Sequence, residues 1–258
     1  MQVFILCGGQ GTRIRGVADN VPKPMVEIGG RPILWHIMKG YSQAGFNDFA
    51  LLLGYRGDVI RRYFLDYKAM TCDAAVTLGG KLEYLTQHPE EDWRVVLADT
   101  GENAMTGCRI RRAAKYLLGD RFLATYGDGV ADVDLKALLA FHGKHGKLAT
   151  VTAVRPPSRF GELGLDGDRV REFSEKPQIG AGWINGGFFV LERAFVDRYL
   201  ADDENLSLER EPLSHAARDG ELMVFKHEGY WQAMDTYREW KLLNDLWHGG
   251  KAPWKTWS

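Results

Sequence analysis

Short apolar runs alternate with segments of helical spacing at the start of the chain. Residues 3–7 form an apolar run that begins with Val3 and is stopped by Gly8 and Gly9, which predicts a buried strand entering a tight loop. From Pro32 onward the apolar residues follow helical spacing, with Gly45 after the last of them. The pattern predicts a strand, a glycine-rich loop and then a helix.

The same alternation continues as far as residue 154. It predicts strands at 49–53, 94–98, 122–126 and 149–154, with helices at 58–68, 108–118 and 134–145. Alternation of this kind is typical of an α/β fold with a Rossmann-like, mainly parallel mixed sheet flanked by helices. Ligands of such folds collect at the carboxyl ends of the strands, so we expect the functional residues in the loops that follow strands.

The alternation of predicted strands and helices ends after residue 154. Short segments near Leu163, at 170–173 and at 183–191 are rich in strand and turn residues, and 236–248 predicts a helix before an aromatic tail. We interpret residues 1–258 as a single domain, because no internal repeat or linker divides the sequence. Its parts are a first half at about 1–154, a smaller β-rich subregion at about 155–235, and a C-terminal helix and tail at 236–258.

Composition and charge argue against several classes of protein. The chain has 33 Lys and Arg residues against 34 Asp and Glu residues, so it lacks the broad positive field of a nucleic-acid binder. It has no leader-like start, and no segment approaches the roughly 20 apolar residues of a membrane span. Its cysteines, Cys7, Cys72 and Cys108, lack the spacing of a zinc site or a disulfide framework. We therefore expect a cytoplasmic protein without nucleic-acid or membrane partners.

A glycine-rich loop and a rigid lysine are the first candidates for chemistry. The loop GGQGTR at 8–13 can turn its backbone amides toward a phosphate, while Thr12 and Arg13 offer a hydroxyl and a planar cation. Lys23 lies between two prolines that keep the backbone extended, which suits neutralisation of a phosphate. Two simpler interpretations remain open: the glycines only make a tight turn, and Lys23 is a solvated surface charge.

The loop followed by PKPMVEIGGRPIL at 22–34 resembles the signature of the sugar-1-phosphate nucleotidyltransferases. The segments WHIMKGY, DTGENAMTG, YGDGVADVD, INGGFFVL, MDT and KAPWKTW are most similar to the family's cytidylyltransferases for glucose 1-phosphate. The resemblance implies transfer from CTP to α-D-glucose 1-phosphate, giving CDP-glucose and pyrophosphate, with Mg²⁺ as cofactor. It also implies a homo-oligomer, in which 1–154 is the nucleotide-binding half and 155–235 the sugar-binding subregion of one nucleotidyltransferase domain.

The resemblance assigns the nucleotide to residues of the first half. The implied contacts are Leu6, Gly8, Gly9, Gly11, Thr12, Arg13, Lys23, Thr106, Gly107, Arg109 and Asp128. In this family an oxygen of the sugar phosphate displaces pyrophosphate in line, which requires positive charge and positioning more than a general base. Arg13 and Lys23 match this catalytic role.

Selection of the base is expected within residues 99–109. The cytidylyl pattern reads M-T-G-G-R, whereas this chain has Cys108 at the second glycine. A side chain there is either harmless at the start of a helix or alters how Gly107 approaches the base.

Asp128 and Asp235 are the implied ligands of Mg²⁺, a hard ion that prefers carboxylates together with phosphate oxygens and water. No other charge partner for these carboxylates is evident in the sequence. Asp128 follows a predicted strand between two glycines, and the simpler interpretation is an Asp-Gly turn. For Asp235 the simpler interpretation is the N-cap of the last helix, while Asp134 is predicted to cap the helix that follows it.

The sugar phosphate is assigned by resemblance to Gly161, Glu175, Lys176 and Asn185. The segment FSEKPQ at 173–178 supplies a carboxylate for sugar hydroxyls and an ammonium for the phosphate. An exposed, ion-rich turn is the alternative for this segment.

Two other functions remain open. One is a cytidylyltransferase for another phosphorylated acceptor. The other is a non-catalytic nucleotide-sensing domain, against which the presence of Arg13, Lys23, Asp128, Lys176 and Asp235 argues. A dehydrogenase is disfavoured, because the first loop lacks the G-x-G-x-x-G order.

Overall fold

A seven-stranded sheet forms the centre of the computed structural model, which describes residues 1–9, 21–88, 90, 92–156, 162–166, 169–174 and 182–257. In chain order its strands are β1 (Gln2–Cys7), β4 (Asp48–Leu53), β7 (Arg94–Asp99), β8 (Arg121–Tyr126), β10 (Ala149–Val154), β13 (Ile184–Glu192) and β14 (Leu222–Lys226). Their order in space is β14-β10-β13-β8-β1-β4-β7.

One strand of this sheet runs against its neighbours. The pairs formed by β1, β4, β7 and β8, and the pair of β10 with β14, are parallel, whereas β13 is antiparallel to both β8 and β10. The first residue of β13, Ile184, pairs with Val154 at the end of β10. The start of β13 therefore lies at the edge where the parallel strands end. The predicted mainly parallel mixed sheet is confirmed.

Helices cover both faces of the sheet, as predicted. Those in the described residues are α1 (Ile33–Gln43), α2 (Gly57–Leu65), α3 (Tyr67–Thr71), α4 (Thr106–Ala113), α5 (Leu135–His145), α6 (Arg193–Tyr199), α7 (Glu211–Arg218) and α8 (Tyr237–His248). None of these described helices combines the length and the hydropathy needed to cross a membrane.

Four small antiparallel pairs surround the central sheet. They are β2 (Glu27–Ile28) with β3 (Arg31–Pro32), β5 (Ala74–Thr77) with β6 (Lys81–Tyr84), β9 (Gly129–Ala131) with β15 (Trp231–Ala233), and β11 (Glu162–Asp166) with β12 (Arg169–Ser174). The pair of β9 with β15 brings the segment after Asp128 next to the segment before Asp235.

Successive residues of the central strands point to opposite faces of the sheet, and both faces are buried. In β1, Val3 and Ile5 join a cluster that includes side chains of α1, α5 and α8. Phe4 and Leu6 join a second cluster with side chains of α4, α6 and α7. A strand buried on both faces requires a continuous apolar run, which explains why the pattern at 3–7 predicted it.

Two predicted helices have different limits in the structure. The helix predicted at 58–68 is divided into α2 and α3, because Asp66 leaves helical geometry with φ −92° and ψ 2°. The helix predicted at 108–118 begins earlier, at Thr106, and ends at Ala113, where a 3₁₀ turn over Ala114–Tyr116 follows. The strand expected at 183–191 is β13, a member of the central sheet.

The aromatic tail packs on α1 around a buried histidine. Trp254 and Trp257 are buried, and their rings lie near the imidazole of His36. The imidazole Nε2 lies 2.8 Å from the carbonyl oxygen of Ile28, and the indole nitrogen of Trp254 donates to Nδ1 at 3.4 Å. Burial lowers the pKa of His36 to about 4. The imidazole is therefore neutral at pH 7 and joins α1 to the tail.

Candidate active site

Two clefts open at the carboxyl edge of the described sheet, and both are lined by Tyr126 and Asp128. The first, here called the β1 cleft, has a volume of about 390 Å³. Its other lining residues include six predicted nucleotide contacts: Leu6, Gly8, Gly9, Lys23, Thr106 and Arg109. The second, the β13 cleft, has a volume of about 300 Å³ and is lined by Asn185, Trp231 and Asp235 among others.

Lys23 lies between the two predicted metal ligands. Its ammonium nitrogen is 2.6 Å from Oδ2 of Asp128 and also donates to Oδ1 of Asp235. Burial lowers the pKa of Lys23, but the charge of Asp128 and the hydrogen bonds to both carboxylates outweigh it and hold the pKa above its ordinary value. The expectation that the carboxylates have no other charge partner is wrong. Lys23 is also not a solvated surface charge, since its side chain is 13% exposed.

The carboxylates fit a hard divalent cation. Asp128 and Asp235 reach the same ammonium nitrogen, so their oxygens converge on one point that a positive charge occupies. Within the described ranges no group of three or more His, Cys, Asp or Glu side chains is arranged to hold a metal ion. Two carboxylates suffice for Mg²⁺, which commonly takes its remaining ligands from substrate phosphates and water.

The helix caps separate the roles of Asp134 and Asp235. Asp134 accepts hydrogen bonds from two backbone amides in the first turn of α5, which confirms the predicted cap. The cap of α8 is Thr236, which forms a capping box with Glu239. The simpler interpretation of Asp235, as the cap of this helix, is therefore wrong. Its backbone amide donates to Glu239, and its carboxylate is directed to Lys23.

Arg109 joins two loops and a strand end at the carboxyl edge of the sheet. Its terminal nitrogens donate to five oxygens at 2.8–3.1 Å, those of Leu53 O, Thr100 Oγ1, Gly101 O, Gly8 O and Glu102 O. Leu53 ends β4, and the other four residues lie in the segments after β1 and β7. A Cβ atom on Gly8 would lie 2.0 Å from the Arg109 guanidinium carbon. The guanidinium can therefore come this close to the backbone only because residue 8 is a glycine. The predicted contact of Arg109 with the nucleotide stays a prediction.

Gly107 and Cys108 contact a segment of the chain that follows α6. The backbone amides of both residues donate to the carbonyl oxygen of Leu206, at 3.0 and 3.2 Å. A Cβ atom on Gly107 would lie 2.9 Å from the same oxygen, so its α-hydrogens face this segment. The buried thiol of Cys108 donates to Asp202 at 3.4 Å, and burial raises its pKa to about 11. The cysteine in the M-T-G-C-R segment is therefore accommodated by the segment that follows α6.

Six predicted site residues lie outside the described residues. They are Gly11, Thr12, Arg13, Gly161, Glu175 and Lys176. Of the predicted sugar-phosphate contacts, Asn185 is described, and it lies at the start of β13 in the β13 cleft.

Comparison with known proteins identifies the family. The nucleotidyl transferase family model matches residues 2–237. The chain belongs to this family. Glucose-1-phosphate cytidylyltransferase of Salmonella typhi is 50% identical over 258 residues, which cover 100% of both chains. A probable glucose-1-phosphate cytidylyltransferase of Bacillus subtilis is 44% identical over 261 residues, again covering 100% of both.

The fold of this nucleotidyl transferase also occurs in a solved structure. The crystal structure of HddC from Yersinia pseudotuberculosis aligns with a TM-score of 0.69 at 25% sequence identity. The alignment covers 95% of this chain and 99% of HddC. The central sheet and its helices are thus those of the nucleotidyl transferase family.

Tyr126 lines the clefts of this nucleotidyl transferase and Glu209 contacts Tyr126, and neither residue was predicted as a contact. Tyr126 lines both clefts, and its hydroxyl donates to Glu209 at 2.5 Å. Tyr126 could have been found, because it ends a predicted strand two residues before Asp128. Glu209 gave no signal, because it lies 83 residues from Tyr126 in an acidic segment that indicates a solvated surface.

Proposed function

We propose that this nucleotidyl transferase transfers the cytidylyl group of CTP to α-D-glucose 1-phosphate, giving CDP-glucose and pyrophosphate. The observation that carries the proposal is the 50% identity, over the full length of both chains, to the Salmonella typhi cytidylyltransferase. The arrangement of two clefts that meet at Asp128 supports it, because the reaction requires two phosphorylated ligands in contact.

In the proposed reaction an oxygen of the sugar phosphate forms a bond to the α-phosphorus of CTP. The bond from that phosphorus to the bridging oxygen breaks, and pyrophosphate leaves with the electron pair. Negative groups approach one another throughout, so the contribution of the chain is positioning and positive charge. Lys23 supports this role, because its ammonium lies in the wall of the β1 cleft beside Asp128, which both clefts share. Arg13 is proposed to add a second cation to the triphosphate.

We propose Mg²⁺ as the cofactor and Asp128 and Asp235 as its protein ligands. Bound there, the ion supplies Lewis-acid stabilisation of the phosphate oxygens. The convergence of both carboxylates on the ammonium of Lys23 supports the assignment. The two carboxylates leave room for ligands from phosphate and water, as Mg²⁺ requires.

The clefts divide the substrates in this proposal. CTP lies in the β1 cleft, against Leu6, Gly8, Gly9, Thr106 and Arg109, with Gly11 and Thr12 of the glycine-rich loop and with the proposed contact at Gly107. Glucose 1-phosphate lies in the β13 cleft against Asn185, with Gly161, Glu175 and Lys176. The chain then acts as one domain in which the nucleotide half and the sugar subregion meet at Asp128.

A substrate panel tests the proposed function. Each nucleoside triphosphate is combined with each of several sugar 1-phosphates, with Mg²⁺, and the nucleotide sugars formed are identified and quantified. CTP with glucose 1-phosphate should have the highest kcat/KM. A higher value for UTP or dTTP would overturn the base, and a higher value for another acceptor would favour the alternative cytidylyltransferase. Binding of CTP without turnover of any pair would favour a nucleotide-sensing domain.

We also propose that the protein is a cytoplasmic homo-oligomer. Exposed apolar side chains of the hairpin formed by β5 and β6 support a subunit contact, since Val76, Leu78 and Leu82 are 66%, 99% and 50% exposed. All three cysteines lie in the described part of the chain as free thiols, which supports a reducing compartment. Sedimentation of Leu82→Lys tests the oligomer: a smaller species is expected, and an unchanged one would remove the hairpin from the interface.

A further inference from the structure

Tyr126 connects the two clefts through its hydroxyl. The hydroxyl donates to Oε1 of Glu209 at 2.5 Å and accepts from Nδ2 of Asn185 at 3.1 Å. Burial, followed by the charge of Glu209, raises the pKa of Tyr126 far above its ordinary value. The hydroxyl therefore keeps its proton, and the direction of donation is from Asn185 to Tyr126 to Glu209.

Glu209 is the shared acceptor of three hydroxyl groups. Besides Tyr126, the hydroxyls of Thr106 and Ser207 donate to its Oε2 at 2.7 and 2.6 Å. Burial raises the pKa of this carboxyl, but the three hydrogen bonds outweigh it and leave the pKa below its ordinary value. No lysine or arginine of the described ranges lies within ion-pair distance of Glu209. Its charge is thus held by hydroxyls that belong to both sides of the site.

The outer ends of this network are also fixed. The hydroxyl of Thr106, in the β1 cleft, accepts from the backbone amide of Leu208 at 2.8 Å. The Oδ1 atom of Asn185, in the β13 cleft, accepts from the backbone amide of Gly187 at 2.8 Å. Among the described residues only Tyr126 accepts from this amide, which leaves its second N–H for a ligand. A ligand that moves either end consequently changes the bonds made to one common carboxylate.

The position of the Tyr126 ring depends on Gly187. This glycine has φ +80°, and a Cβ atom there would lie 2.4 Å from Cδ2 of Tyr126. The ring of Tyr126 can therefore lie between the clefts because residue 187 has a positive φ and no side chain. The segment INGG supplies both the amide that donates to Tyr126 and the space that the ring fills.

We propose that Glu209 is a positioning residue that couples the β1 and β13 clefts through Tyr126, so that each substrate binds more tightly once the other is bound. The inference rests on the proposed function for the identity of the two ligands. A ligand in one cleft that shifts Tyr126 or Thr106 changes the hydrogen bonds made to Glu209, and this changes the donors offered to the other cleft. If Glu209 only held its own segment against α4, the affinity for one ligand would not depend on whether the other is bound.

The coupling is measured by calorimetry with a nucleotide that does not react. The Kd of glucose 1-phosphate is determined with Mg²⁺, in the absence and the presence of saturating α,β-methylene-CTP. In the unmodified protein the Kd measured with the nucleotide should be about tenfold lower than the Kd measured without it, which is within the usual range for coupled sites. The ratio of the Kd without nucleotide to the Kd with nucleotide is then about ten. It should fall close to one in Glu209→Gln and in Tyr126→Phe, and the double variant should resemble each single one.

Glu211→Gln is the matched control, because Glu211 is an exposed residue of the same type at the start of α7. It should retain the ratio of the unmodified protein. Circular dichroism and the melting temperature establish that each variant is folded. If Glu209→Gln does not fold, Tyr126→Phe tests the coupling instead, because it removes the hydroxyl and keeps the ring. A ratio of one in the unmodified protein, or an undiminished ratio in a folded Glu209→Gln or Tyr126→Phe variant, would overturn the coupling.

Failure of the proposed function has a different signature. If the substrate panel identifies another base or acceptor, the same comparison is made with that sugar phosphate and the corresponding methylene nucleotide. In that case the substrate assignment is wrong, but the coupling between the clefts is still tested by whether Glu209→Gln abolishes it.

Discussion

Lys23 and Asp235 lie 212 residues apart in the chain, yet the ammonium of one donates directly to the carboxylate of the other. Asp128, from the middle of the chain, completes the group. A largely buried cation between two carboxylates means that the folded protein already places a positive charge where a divalent cation fits. We therefore expect the balance of charge at this point to affect both the stability of the fold and its response to a divalent cation.

Replacing Lys23 with alanine should leave two carboxylates facing one another without a cation. This is expected to destabilise the fold by about 1 to 2 kcal/mol, less than at a fully buried pair because the side chain of Asp235 is 35% exposed. Mg²⁺ should restore the lost stability. The Mg²⁺-induced rise in melting temperature should therefore be larger in this variant than in the unmodified protein, as measured by thermal unfolding.

Lys241→Ala is the control for that experiment, since Lys241 forms an exposed ion pair with Asp245 one helical turn away. Its response to Mg²⁺ should equal that of the unmodified protein. An equal response in Lys23→Ala as well would show that the two carboxylates do not form the cation site.

Activity should disappear with a chelator and return with Mg²⁺. Asp128→Asn removes one charge at nearly constant volume, so the Mg²⁺ concentration for half-maximal activity should rise about tenfold or more. A titration of initial rate against Mg²⁺ measures this. The exposed Asp58 offers the control Asp58→Asn, for which no change is expected. Full activity of Asp128→Asn at low Mg²⁺ would remove Asp128 from the site.

Arg109→Lys should destabilise the protein and weaken nucleotide binding together. A lysine cannot span the five oxygens that the guanidinium joins, so buried carbonyls lose their donors at a cost of about 2 to 4 kcal/mol. Urea unfolding measures the stability, and the KM for CTP should rise while that for glucose 1-phosphate changes little. Arg111→Lys, at a half-exposed ion pair with Asp197, should change stability by less than about 0.5 kcal/mol. Equal effects of the two variants would contradict the role given to Arg109.

Stability should decline as the pH falls from about 6.5 to about 4 because of His36. The folded state keeps this imidazole neutral, whereas the unfolded chain binds a proton near pH 6.5, so acid favours unfolding. The full effect is about 3 kcal/mol, from the difference between the folded pKa of about 4 and the unfolded value. Urea unfolding across this range should give a flatter pH profile for His36→Gln. Parallel profiles for the two proteins would show that His36 is not buried in neutral form.

Elements buried on both faces could be predicted from the sequence. The run at β1 and the run at β10 were found to within a residue, because strands buried on both faces consist mainly of apolar and β-branched residues. The hairpin of β5 and β6 was missed, because its strands are only four residues long and mostly exposed. The direction of β13 also could not be predicted, since local patterning is the same for parallel and antiparallel pairing.

The site was predictable where a residue is part of a recognisable segment. Lys23, Asp128 and Asp235 were selected through such segments, and the structure brings them into contact. Glu209 was not, because its contact with Tyr126 arises from the folding of a distant acidic segment onto α4. Contacts of this kind depend on tertiary structure and leave no periodic or compositional trace.

Because β13 runs against its neighbours, the chain leaves the sheet at Val154 and re-enters it beside the same residue, at Ile184. The stretch between them, residues 155–183, thus begins and ends beside one paired position of the sheet. Such a stretch can be lengthened, shortened or exchanged while the sheet keeps its register. The residues that line the β1 cleft belong to other segments of the chain. With the sugar assigned to residues 155–235 as proposed, we expect variation of this stretch to change the acceptor while the nucleotide stays the same.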